Sequence, residues 1–216
     1  MIIYDLSFQK KQLEYNKVYT FSFTGSKTMP FVAGQWVHLG FPTPDRDKSR
    51  VRHMSFSSAP GEPFLEFSMD LGTGSWFKNQ MAELKKDDVV KAFKISGEFV
   101  VEQETGKEII FLVGGIGITP VRSILRDMTT NRSSVQWKLL HVSRDHFLYE
   151  NELSQLGGEQ WRTNRDGVDA LWSRVIDHAD RRRYYICGSD RFILGIQKRL
   201  ASAQVTDIVT ENFDNQ

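Results

Sequence analysis

Several things are scarce in this chain of 216 residues, and each scarcity removes a class of function. Cys187 is the only cysteine, which excludes a disulfide framework, a cysteine-ligated zinc or an iron–sulfur cluster held by one chain. The longest apolar runs, such as IIFLV, are about five residues, far below the roughly 18 that a membrane-spanning helix needs. No sign of charge dominates. Basic and acidic residues number 28 and 27 and are interspersed, so the concentrated cationic footprint of a nucleic-acid or anionic-membrane binder is missing. The start, MIIYDLSFQKK, lacks the basic, apolar and small-residue order of an export signal. His38, His53, His141, His146 and His178 show no metal-ligand spacing, so no metal site is expected. A reducing, cytoplasmic setting is expected, without membrane insertion or nucleic acid.

What is present divides the chain in two. Apolar content of 40% and charged content of 25% promise a real core, and the length allows two domains. Up to about residue 105 the pattern is turn-rich with period two. KVYTFSFTG sets Val18, Thr20 and Ser22 against Tyr19, Phe21 and Phe23; AGQWVHLGF and PFLEFSMDLG behave alike, the latter with Leu65, Phe67 and Met69 on one face. One helix interrupts, with Phe77, Met81 and Leu84 on its buried stripe and Ser75 as cap. Short strands between turns predict a small antiparallel barrel. From residue 107 strands and helices alternate. EIIFLV, VQWKLLHV, QWRTN, RYYICG and DIVTENF read as strands, with helices marked by Val121 to Met128, YENELSQL, Leu171 to Ala179 and Phe192 to Leu200. That alternation predicts βαβ crossovers and a parallel, Rossmann-like sheet. The polar segment EQETGKE (102–108) marks the boundary, giving domains 1–104 and 105–216.

FLVGGIGITP (111–120) joins the first strand of the second half to its helix. Strand, glycines and helix in this order can make a phosphate site, because the helix start carries unpaired N–H groups and glycines admit an anion to the backbone. Pro120 is tolerated in a first helical turn. A tight turn without any ligand has the same sequence.

Three further motifs accompany it: Val51-Arg52-His53-Met54-Ser55-Phe56-Ser57-Ser58-Ala59-Pro60, the pair Cys187-Gly188, and Glu211-Asn212-Phe213. With them, nearly the whole chain resembles the ferredoxin–NADP reductase superfamily. The resemblance implies an N-terminal antiparallel Greek-key β-barrel for FAD and a C-terminal α/β domain for NADPH or NADH. It implies that Arg52 pairs with the FAD pyrophosphate, that His53 and Met54 also bind the cofactor, Met54 at the isoalloxazine, and that Ser55 lies near flavin N5. Met54 stands where the family has tyrosine and lacks its hydroxyl and flat ring. Gly72, Gly74 and Ser75 would form a second flavin loop through backbone N–H groups. Gly115, Gly117, Thr119 and Pro120 would hold the nucleotide pyrophosphate, with Gly188 beside them. Cys187 would stand near nicotinamide C4, Phe213 would shield the flavin, and Glu211 could assist a proton. Arg165, after Asn164, is the candidate for a 2′-phosphate, a lean towards NADPH. Ser189 replaces the family's proline.

The activity implied is FAD-dependent NAD(P)H oxidation, with an external electron acceptor such as a ferredoxin, a flavodoxin or another small redox protein. Two alternatives stand beside it: an NAD(P)H:flavin or ferric reductase that uses free flavin as substrate, and a non-catalytic nucleotide-sensing or redox-complex subunit. For a cysteine or serine seen alone, a packing role is the commoner fate. Arg52→Ala is expected to weaken FAD retention, and Gly117→Val to raise the nicotinamide KM.

Overall fold

Alternation builds the first domain. The computed structural model describes residues 2–25, 28–42, 50–102 and 106–213. In β1 (Ile3–Tyr15), Tyr4, Leu6 and Phe8 are buried while Ile3 and Asp5 are exposed. A two-residue turn follows, with Asn16 at φ +46°, and leads into β2 (Val18–Gly25). With β3 (Trp36–Gly40), β4 (Val51–Ser55), β5 (Leu65–Asp70) and β6 (Val89–Ser96) these make an antiparallel sheet in the order β4-β3-β6-β1-β2-β5. Strand β6 returns to lie between β1 and β3, the non-local connection of a Greek key. The sheet curls until its edges meet, and the Ser57 N–H donates to the Glu66 carbonyl at 2.8 Å. Leu6, Phe21, Phe23, Phe56 and Phe67 fill the inside of this half-barrel. Helix α1 (Trp76–Glu83) closes one end with Phe77 and Met81, and its cap is Ser75, whose Oγ accepts from the Lys78 N–H.

The second domain is a parallel sheet of β7 (Glu108–Gly114), β8 (Trp137–Val142), β9 (Glu159–Thr163), β10 (Arg182–Gly188) and β11 (Ile208–Asn212), ordered β11-β10-β7-β8-β9. Helices α2 (Ile118–Thr130), α3 (Glu150–Leu153), α4 (Val168–Ile176) and α5 (Asp190–Ser202) cover it. The apolar run of β7 is buried on both faces: Ile109, Phe111 and Val113 pack into one layer, Ile110 and Leu112 into the other. The chain leaves β7 towards β8 on one side and reaches β10 on the other. The order therefore reverses at β7, and a crevice opens at the carboxyl ends of β7 and β10.

Two helices differ from expectation. YENELSQL yields only Glu150–Leu153: Tyr149 enters at φ +63° and stays outside the helix, and the chain turns from Ser154 towards Gly157 and Gly158 at φ +80° and +70°. Helix α4 stops at Ile176 rather than Ala179: Asp177 turns to an extended conformation and His178 to φ +49°, leaving Ala179 in a separate short turn. The expected boundary at 104–105 lies outside the described residues, as do the residues that follow Phe213. No helix among the described residues is long and apolar enough to cross a membrane.

Candidate functional site between the two domains

The motif residues converge on a cleft where the half-barrel faces the carboxyl ends of β7 and β10. On the barrel side is a cavity of about 340 Å³. Arg52, His53, Met54 and Ser55 form one wall, Ser68 to Asp70 the floor, and Ser75, Phe77 and Lys78 the opposite wall. Thr119, Ile116 and Phe213 reach it from the second domain. Strand pairing aims the first wall, since Arg52, His53, Met54 and Ser55 lie opposite Leu39, His38, Val37 and Trp36. His53 stacks on His38 at 4.1 Å and on Trp36 at 4.4 Å between ring centroids, a flat cross-strand platform. Burial, then the His53 ring and Lys94, push His38 down to about 4, and burial with Lys94 also lowers His53. Both rings are therefore neutral at neutral pH and stack without mutual repulsion.

Three polar groups give the cavity its chemistry. The Ser55 hydroxyl oxygen is buried and has no hydrogen-bond partner among the described residues, in a residue only 4% exposed. A buried hydroxyl without a partner costs free energy. Arg52 donates to the Val51 carbonyl at 2.8 Å and lies 5.9 Å from the Phe77 ring. Lys78 stands opposite, lowered first by burial and further by Arg52, with Asp70 acting the other way. Lys78 was missed in the sequence. Its signal is a cation in the first turn of α1, where the helix dipole favours an anion and no acidic residue occurs.

The glycines around Ser75 behave differently from expectation. The Gly72 N–H is taken by the Asp70 carboxylate at 2.7 Å, and the Gly74 N–H by the Leu71 carbonyl at 3.3 Å. These two amides are engaged inside the turn, and the cavity wall here is Ser75, Phe77 and Lys78.

A second cavity, about 780 Å³, occupies the crevice. Gly114, Gly115 and Ile116 form its back, Ser143 to His146 and Asn164 to Asp166 its outer rim, and Ser189, Phe192 and Phe213 its other side. Arg144 and Arg165 are exposed on that rim. Ile116 and Phe213 line both cavities and form the partition between them.

Within the glycine turn the residues have separate reasons to be there. Gly115 sits at φ +54° with open space where a side chain would start, so its backbone is the accessible part. A Cβ on Gly117 would lie 2.5 Å from the Cys187 carbonyl oxygen, so this glycine is required by packing against β10. The side chain of His141 reinforces the turn: its Nε2 lies 2.9 Å from the Gly115 carbonyl, and burial pushes the imidazole down to about 4. Because a carbonyl only accepts, the neutral ring carries its proton on Nε2.

The remaining expected residues sit behind these walls. Cys187 is fully buried in the core and lines neither cavity, and burial, then Glu211, push its thiol well up. Glu211 pairs in register with Cys187 across β10 and β11, and burial pushes its carboxyl up to about 7. Pro120 is buried in the first turn of α2, and Gly188 holds the Phe213 N–H through its carbonyl at 3.3 Å. Ser189 caps α5, its Oγ accepting from the Phe192 N–H at 3.4 Å, a physical reason for serine in place of proline.

No family model matches the chain. Among curated proteins, it is 26% identical over 214 residues to a flavohemoprotein of Bordetella pertussis, covering 85% of this chain and 52% of that protein. Against a flavohemoprotein of Bacillus subtilis the identity is 22% over 215 residues, covering 88% and 53%. The chain thus spans about half the length of these relatives. Among solved structures, the flavohem-like FAD/NAD-binding domain of a Vibrio cholerae nitric oxide dioxygenase superposes with a TM-score of 0.83 at 20% identity, covering 97% and 98%. A Neisseria gonorrhoeae ferredoxin NADP+ reductase with bound FAD and NADP gives 0.82 at 18%, covering 97% and 98%. The chain has the two-domain fold of ferredoxin–NADP reductases.

Proposed function

We propose that this chain is an FAD-dependent NAD(P)H oxidoreductase that hands electrons to an external acceptor. The observation that carries the reading is a cavity lined by Arg52, Ser55 and Lys78 that meets a glycine-backed crevice at Ile116 and Phe213. Bound FAD would supply a hydride acceptor for reduced nicotinamide and a route for releasing electrons singly. The chain's own residues bind and orient. Arg52 and Lys78 would hold the anionic part of FAD, with Arg52 offering a planar set of donors. Ser55 would donate to the ring system, and Met54 would supply a soft, polarisable contact to it.

On the other side, Gly115 would bring the backbone against the nucleotide pyrophosphate, with Gly117 and Pro120 shaping that turn from behind, while Thr119, in the first turn of α2, reaches the flavin-side cavity. Arg144 and Arg165, on the loops after β8 and β9, would meet a 2′-phosphate, which favours NADPH. Phe213 would cover the flavin until the nicotinamide takes its place, and Glu211 would hold a proton behind β10. Cys187 contributes shape, because a buried thiol pushed up in this way is no nucleophile.

One observation favours a second reading. Met54 offers neither the ring nor the hydroxyl of the family's tyrosine, so the flavin could be a passing substrate in a flavin or ferric reductase. Exhaustive dialysis against flavin-free buffer separates the two. Retention of about one FAD per chain supports the proposal. A colourless protein whose turnover saturates with added flavin overturns it in favour of the reductase, and a protein that neither holds nor reduces flavin overturns both.

A further inference from the structure

The groups that join the two domains have no part in the reading above. On α2, Arg122, Ser123 and Arg126 face the barrel segment 57–66. Arg122 donates through Nη1 to the Ser57 carbonyl at 2.8 Å and to Glu66 at 3.0 Å, and through Nε to Glu152 at 2.9 and 3.1 Å. Ser123 Oγ donates to the Ser58 carbonyl at 2.6 Å, and Arg126 pairs with Glu62 at 2.6 Å. Tyr149 comes from the loop after β8, held at φ +63°. Its hydroxyl bonds Ser68 and lies 3.4 Å from the Thr20 hydroxyl, while its ring is 4.7 Å from the Arg122 guanidinium. Arg122 is 8% exposed and takes one carboxylate from each domain. Burial alone would lower its affinity for the proton; Tyr149, Glu152 and Glu66 outweigh that and keep the charge in place.

Adhesion does not require this buried charge. Val18, Ala33 and Phe99 of the barrel already pack with Val121 and Ile124 of α2, and exchanging a buried ion pair for apolar side chains is often neutral or stabilising. What a guanidinium fork between two carboxylates and a carbonyl supplies is a single register, since its donors fit one arrangement. The places it ties together are telling. Ser57 stands two residues after Ser55, Ser68 itself lines the flavin-side cavity, and Arg122 stands three residues after Thr119.

We propose that Arg122, with Tyr149, is a positioning clamp that sets the separation between the Arg52–Ser55 wall and the glycine turn, and so the approach of the two ligands. The inference rests on the proposed function. A displacement of about 1 Å at a reacting centre costs on the order of 100-fold in rate. The test uses the full chain with Arg122→Leu and Tyr149→Phe. Expected are unchanged flavin retention and unchanged NADP+ affinity, and a rate of flavin bleaching at saturating NADPH that falls about 100-fold in Arg122→Leu. Tyr149→Phe, which loses only a hydroxyl and folds if Arg122→Leu does not, falls about tenfold, the scale of one hydrogen bond. In the flavin-free chain, small-angle scattering shows a broader distribution of interdomain distances for both variants. Unaltered bleaching rates in both variants, or flavin affinity lost in step with rate, overturn the clamp. If the unmodified protein is never bleached, the functional reading fails while the scattering still decides the clamp: an unbroadened distribution overturns it.

Discussion

The two cavities that meet at Phe213 are built on different principles. The barrel-side cavity is walled by side chains on hydrogen-bonded strands and on a capped helix, and its polar lining residues, Arg52, Ser55 and Lys78, stand on fixed backbone. The crevice is walled by loops: exposed Arg144 to His146 and Asn164 to Asp166 on one side and the backbone of Gly114 and Gly115 at the back. Rigid walls suit a ligand that stays, and loops at strand ends suit one that comes and goes. The difference teaches why sequence motifs for the two sites have different grammar. One is a run of side chains with period two, the other a run of residues chosen for having none.

The largest effect that would sharpen this contrast comes from the glycine turn. Gly117→Val drives a side chain into the Cys187 and Gly188 backbone, so a loss of about 3 kcal/mol and a fall of about 10 °C in Tm are expected. The substitution reports on packing of the α/β domain and not, as its sequence position suggests, on nucleotide KM alone. Gly115→Ala meets open space and only the strain of φ +54°, about 1 kcal/mol; it leaves Tm nearly unchanged and weakens NADP+ binding about tenfold in an equilibrium titration. Equal Tm for the two variants would erase the distinction between the packed glycine and the exposed one.

On the barrel side, Arg52→Ala is expected to weaken FAD binding on the order of 10- to 100-fold, the range of a lost charge-assisted hydrogen bond. Lys78→Ala should weaken it about tenfold, and neither change should alter NADP+ affinity. Dialysis and fluorescence titration measure both, and full FAD retention by both variants would detach the cations from the ligand.

The smallest effect concerns Glu211. Its carboxyl binds a proton up to about 7 in the folded chain, against 4.5 when exposed. A raised value means that the stabilisation is full below about 4.5 and is lost as pH rises through about 7. Glu211→Gln should therefore flatten the decline in Tm across that window, by a few degrees at most. An identical pH profile for the variant would place the titration elsewhere.

Much of the fold was legible because its causes are local. The double-faced apolar run at 109–113 announced a central parallel strand, and Phe77, Met81 and Ser75 announced α1 with its cap. Tyr4, Leu6 and Phe8 carry the same alternation in β1, but the polar run after them hid a strand that continues to Tyr15. Of the site, Arg52 to Ser55 and the turn at 114–119 could be named, since each motif is contiguous. Ser68 and Asp70 could not, because they meet the others only when the sheet curls and the domains dock. The same holds for Thr20 and Ser22. Alternation marks them as the outer, polar face of β2, yet the second domain and the Glu66–Arg122 network bury them.

The most direct test of the account is anaerobic mixing of the FAD-loaded protein with NADPH and, separately, with NADH, following the flavin absorbance. The account predicts bleaching at a rate that saturates with nucleotide, with NADPH saturating at the lower concentration because Arg144 and Arg165 would meet its 2′-phosphate. A bound flavin whose spectrum stays unchanged with both nucleotides would contradict it.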